Sequence, residues 1–103
     1  MNKPKRIQRK RVKGWRMPPN TINVTRPSKY GNPFVVGRDG TAAECKEKYR
    51  ILIETNIWST PNRLDIQKDL RGKNLACWCR LYDKNGLRVP CHADVLLEIA
   101  NLE

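Results

Sequence analysis

Residues 70–79 read LRGKNLACWC. Gly72 stops whatever helix comes before it. Asn74 to Cys79 then run apolar, without the alternation of a half-exposed strand. A short unbroken apolar run behind a glycine suits a strand covered on both faces, which is the central position in a parallel sheet. Upstream, Thr60-Pro61 is a cap followed by a proline at the first helical position, so a helix is expected over 61–71. Thr41-Ala42-Ala43-Glu44 forms a capping-box pattern. Ala42, Cys45, Tyr49, Leu52, Ile53 and Ile57 follow at helical spacing on one apolar face. Thr21 to Thr25 (TINVT) is β-branched and alternating, so it reads as a strand. Phe34 to Val36 reads as a second, short one. Asp83-Lys84-Asn85-Gly86 is a turn, suited to a hairpin tip. A last helix is expected over 92–102, with Leu96, Ile99 and Ala100 on one side and Asp94 in its first turn.

Strands joined through helices favour parallel pairing with a right-handed crossover. The expected fold is a small single-domain α/β sandwich. It has a short mixed sheet, with the 21–25 and 74–79 strands parallel at its centre, and a basic N-terminal arm. The 103 residues suit one domain, and 39% hydrophobic content limits the core. Residues 1–16 form the arm and 17–103 the compact domain. No apolar run approaches roughly 18 residues, so no membrane helix is expected. No apolar stretch follows the first basic residues, so a secretory signal is not expected either. These features point to the cytoplasm, where thiols stay reduced.

The net charge is +11, and residues 1–16 hold eight Lys or Arg and no acid. Such a run repels itself and is expected to be mobile when free. Its natural partners are polyanions. Trp15 within the run adds a stacking surface that a solubilising tail does not need. Arg6, Arg9, Lys10, Arg11, Lys13, Trp15 and Arg16 are therefore candidates for nucleic-acid or phosphate binding. Residues 26–34, RPSKYGNPF, follow the first predicted strand, where open α/β sheets bind ligands. Arg26 and Lys29 offer charge to phosphate, and Ser28 and Asn32 offer hydrogen bonds. Tyr30 and Phe34 offer stacking, and Gly31 allows close backbone approach. Parallel pairing would bring this loop beside Cys79.

Residues 76–92 hold three of the four cysteines and the only histidine. Cys77 and Cys79 share a strand face, but ideal strand spacing holds their sulfurs too far apart for one ion, so the strand must bend or end near Cys79. With Cys91 and His92 they make a Cys3His set suited to tetrahedral zinc. Two alternatives stand beside it: cysteines that only fill the core, and a reactive Cys91 thiol activated at a helix N-terminus. Cys45 lies on a helix face and reads as a small buried hydrophobe. A zinc deaminase needs an H-x-E segment before its cysteines, and none is present.

RIQRKRVKGWRMPPNT, RPSKYGNPF, LRGKNLACWC and PCHADVLLEIAN together resemble a small family of unknown function found largely in phages and bacteria. The resemblance runs from Arg6 to Asn101. It implies that the arm, with Gly14-Trp15-Arg16, is part of the domain. The connection from Cys79 to Cys91 is longer here than in the family pattern, by a loop containing Asp83 to Gly86. No activity follows from it. Three functions remain: a basic, zinc-fastened nucleic-acid-binding protein; a binder of, or enzyme on, a nucleotide-like anionic ligand; and a viral inhibitor of a host protein.

Overall fold

The computed structural model describes residues 3–26, 28–55 and 62–102. Among these, three strands and three helices follow in the order β1 (Arg6–Gln8), β2 (Thr21–Asn23), α1 (Ala42–Thr55), α2 (Arg63–Leu70), β3 (Asn74–Cys77) and α3 (His92–Ala100). The strands form one sheet in the order β1-β3-β2, and both pairings are parallel. The chain is a small α/β domain. β3 is central, as its unbroken apolar run requires. Leu75 and Ala76 are fully buried and Cys77 nearly so. β2 and β3 pair with Thr21 against Asn74, Ile22 against Leu75 and Asn23 against Ala76.

The third strand is not the expected one. Phe34–Val36 form a turn, because Asp39 competes for their backbone. Its carboxylate accepts the Val35 amide at 2.8 Å, and the Val35 carbonyl accepts the amides of Arg38 and Asp39. The third place in the sheet is taken by Arg6–Gln8, inside the segment expected to be a mobile arm. Its bonds to β3 extend past both ends: Leu75 N donates to Lys5 O at 3.0 Å and Arg9 N to Cys77 O at 2.7 Å. The sheet is therefore uniformly parallel, where a mixed one was expected, and residues 6–8 of the expected arm are one of its strands.

The helices follow their sequence signals. The Thr41–Glu44 capping box is reciprocal: Glu44 N donates to Thr41 Oγ1 at 3.2 Å, and Thr41 N to Glu44 Oε1 at 3.0 Å. Cys45, Tyr49 and Ile53 form the buried stripe of α1. Ile57 and the Thr60-Pro61 cap lie outside the described residues. The cap observed on α2 is Asn62, whose side chain accepts from Asp65 N at 3.0 Å. α3 is the most buried helix and packs against β1, β3, α1 and α2. Between Cys79 and Cys91 a small hairpin closes through the antiparallel Tyr82–Arg88 bridge, with Gly86 at φ 79° in its tip. No helix among the described residues is long and apolar enough to cross a membrane.

Candidate metal centre and ligand cleft

β3 ends at Cys77, and the chain bends through Trp78 and Cys79. That bend removes the spacing penalty of a straight strand. Cys91 is the N-cap residue of α3, in extended conformation, and its side chain makes no cap hydrogen bond. Its sulfur is thus free to face the sheet. The sulfurs of Cys77, Cys79 and Cys91 all lie within 4.8 Å of one another, and Cys77 and Cys91 are 3.3 Å apart. Three thiols this close cannot ionise independently. The Cys79 thiolate is favoured because Cys77, then Cys91, can donate hydrogen bonds to it. Cys77 is pushed up, chiefly by its hydrogen bond to Cys79. Cys91 is pushed up by its bonds to Cys77 and Cys79 and by burial. A soft cation would replace these shared protons. Tetrahedral zinc, with bonds of about 2.3 Å, needs sulfurs about 3.8 Å apart, close to the spacing here.

His92 is beside this cluster but outside it. Its Nε2 lies 2.8 Å from the Val24 carbonyl, which can only accept, so Nε2 carries the proton. Nδ1 then presents its lone pair 3.5 Å from Cys91 Sγ. Burial holds the imidazole pKa below its ordinary value, favouring the neutral ring. The expected Cys3His set therefore arrives as three converging sulfurs and one tethered imidazole.

The cluster sits at the head of a cleft of about 530 Å³. Because all three strands are parallel, their carboxyl ends meet at this edge. The cleft is walled by Arg26, Asn32 and Phe34 from the 26–34 loop and by Trp78, Arg80 and the Cys/His residues from the other side. Lys46 of α1 also faces it, and among the described residues no Asp or Glu lines it. The two unusual segments of the sequence do share one edge.

Within the loop, roles divide differently from expectation. Arg26 is exposed at the cleft. Tyr30 is core: its hydroxyl bonds to Asp69 and to Asp65 O, and its carbonyl accepts from Tyr49 Oη at 2.8 Å. Lys29 turns to α2, 3.6 Å from Asp69 and 3.9 Å from Asp65. Ser28 Oγ is buried without a hydrogen-bond partner among the described residues. Asn32 borders the cleft, yet its amide braces the loop, donating to Cys45 O and accepting from Phe34 N. Gly31 serves packing: a Cβ there would lie 2.9 Å from Cα, Cγ and N of Arg26. Gly31→Ala is expected to displace Arg26 and to cost about 1–3 kcal/mol in urea unfolding.

The basic residues also divide. Lys10, Arg11, Lys13 and Arg16 are exposed and Trp15 is half-buried. Arg9 and Arg11 approach the ring of Trp78, with guanidinium carbons 4.3 and 4.7 Å from its centroid. Arg9 Nη1 also donates to Thr25 Oγ1 at 3.0 Å. Arg6 is not available to a phosphate. Its side chain is fully buried, paired with Asp94 at 2.7 Å, and donates to Arg80 O at 2.9 Å. It thereby fastens the backbone just after Cys79. Cys45 is buried as expected, with its sulfur 3.8 Å from Gly40 O. Trp78 and Arg80 escaped the sequence reading. Their only signal was that they flank Cys79.

Among curated proteins and solved structures no match to this chain was found. A family model described as a domain of unknown function, DUF4326, matches residues 7–102. The match begins within β1 and includes the cysteine cluster, the cleft and all three helices, and the chain belongs to that family.

Proposed function

We propose that this domain binds a phosphate-bearing, nucleotide-class ligand in the cleft, beside a zinc ion held by Cys77, Cys79 and Cys91. The observation that carries the reading is the convergence of the cysteine cluster and the 26–34 loop on one cleft at the carboxyl ends of parallel strands. Open α/β sheets bind ligands at that edge. The lining selects an anion: Arg26, Lys46 and Arg80 face the cleft, and among the described residues none of the three pairs with a carboxylate. Phe34 and Trp78 supply flat apolar surface for a base. With no carboxylate among the described residues of the lining, proton transfer in the cleft would fall to His92 or to a thiol.

Calorimetric titration with adenosine 5′-monophosphate tests this. Saturable binding is expected, retained for the most part at raised salt. Arg26→Glu and Arg80→Glu are expected to weaken it at least tenfold, and Lys13→Glu to leave it within twofold. Absence of binding to AMP and to inorganic phosphate would remove the reading.

A second reading, nucleic-acid binding, is favoured by the exposed cations Lys10, Arg11, Lys13 and Arg16, of which Arg11 lies over the half-exposed Trp78. Each neutralised phosphate releases counterion, so affinity should fall as a power of salt. If about five cations engage, the log–log slope on duplex DNA is roughly −4 to −5. Arg6 is not among them. Trp78→Ala should cost about 1–3 kcal/mol on single strands through lost stacking. Full-length protein that leaves DNA and RNA unbound at low salt would dispose of this second reading.

A further inference from the structure

We propose that the metal at Cys77, Cys79 and Cys91 keeps its fourth coordination position open to the cleft, and that an oxyanion of the bound ligand occupies it. This rests on the zinc reading above and deepens it, because it sets what the metal does.

A metal site that only fastens a fold is closed by four protein donors, whereas one that meets a ligand keeps a position free. Three donors converge here. Among the described residues no fourth cysteine, histidine or carboxylate lies with them inside the 4.8 Å cluster. His92 is the nearest candidate, and neither of its ring nitrogens belongs to the three-sulfur cluster. Its Nε2–H bond to Val24 O leaves Nδ1 as the atom that could ligate, and that bond fixes the ring together with edge-on packing against Tyr49, with centroids 5.3 Å apart at 88°. Tyr49 is fixed in turn by its bond to Tyr30 O. A ring nitrogen sharing the ion would have to sit close to all three sulfurs. Nδ1 lies 3.5 Å from Cys91 Sγ, but it does not come within 4.8 Å of all three sulfurs.

All three cysteines line the cleft, so an open position there would be reached from it. Three thiolates on a divalent ion leave a net charge of about −1 on the complex. An anionic fourth donor is then tolerable only among positive charges. Arg26, Lys46 and Arg80 provide them from the cleft wall, and no acid among the described residues of the lining opposes them. A phosphate or carboxylate oxygen fits these demands. A neutral apolar ligand would leave the three cations without purpose.

The test uses full-length protein loaded with cobalt(II), which reports coordination through its visible bands. The expected spectrum has thiolate-to-metal charge transfer from three sulfurs and d–d bands that shift saturably on adding azide, inorganic phosphate or AMP. For AMP the midpoint should agree with the calorimetric one. X-ray absorption of the zinc form should show three sulfurs and one light atom, without the outer-shell scattering of an imidazole. Bands that none of the three anions moves, or clear imidazole scattering, would overturn the open position while leaving the zinc reading intact. If cobalt and zinc fail to bind at all, both readings fall. If the bands shift with azide but AMP is not bound, the open position stands without its ligand class, and the nucleotide reading alone is lost.

Discussion

Arg6→Ala is expected to destabilise the domain by about 3 kcal/mol. The Arg6 side chain is fully buried, and its guanidinium donates to Asp94 at 2.7 Å and to Arg80 O at 2.9 Å. Removing one partner of a buried pair typically costs about 3–5 kcal/mol, because the other charge is left without compensation. The lower figure applies here. Asp94 is one-fifth exposed and keeps Arg88 at 3.3 Å, so it is not fully stranded. The loss reaches beyond the ion pair. Arg6 ties β1 at one end of the chain to α3 at the other and pins the backbone leaving Cys79. The substitution should therefore also weaken metal retention. Urea unfolding checks the stability term, read as a lower midpoint at unchanged slope. Lys10→Ala is the control, since an exposed lysine should change stability by no more than about 0.5 kcal/mol. Equal midpoints for the two variants would contradict the role given to Arg6.

Cys91→Ser is expected to abolish stoichiometric metal binding, and Cys45→Ser to leave it intact. Cys91 contributes one of three sulfurs in a cluster no wider than 4.8 Å. Altering a group that merely supports a metal ligand costs about 10–100-fold in affinity, so removing a ligand should cost more than about 100-fold. Metal binding is coupled to folding, so the Cys91 variant should also lose the stabilisation that zinc gives to the wild type. Cys45 is equally buried, but its sulfur meets only the Gly40 carbonyl at 3.8 Å. Its substitution should carry a small packing cost and nothing metal-dependent. Thermal melts with and without a chelator separate the two effects. A chelator-sensitive melt in Cys91→Ser matching that of wild type would rule out Cys91 as a ligand.

The parts of the fold written in local pattern were legible beforehand. The unbroken NLACWC run identified a central strand. The β-branched TINVT run supplied its parallel neighbour, and Thr41 and Glu44 marked a helix start. Parallel pairing then placed the 26–34 loop beside the cysteines without any knowledge of contacts. What escaped depends on partners distant in sequence. Arg6–Gln8 looks like part of a repelling basic run, because nothing nearby shows that Asp94, 88 residues later, accepts the buried charge. Lys29 and Tyr30 carry the residue types of a phosphate and base site, yet Asp65 and Asp69 on α2 draw both away from the cleft. Phe34–Val36 has strand composition, but the Asp39 carboxylate takes the Val35 amide first. His92 was legible as a neighbour of the cluster. Its bond to Val24 O, 68 residues away, was not.

On the reading proposed above, Cys77, Cys79 and Cys91 hold a metal ion at the head of the cleft. Elemental analysis of full-length protein, purified without added metal or chelator, tests it most directly when paired with thiol counting before and after a strong chelator. One zinc per chain is expected, with three thiols becoming reactive together as the chelator removes it. Folded protein with no stoichiometric metal, and with those three thiols already titratable, would show that the cluster holds no ion.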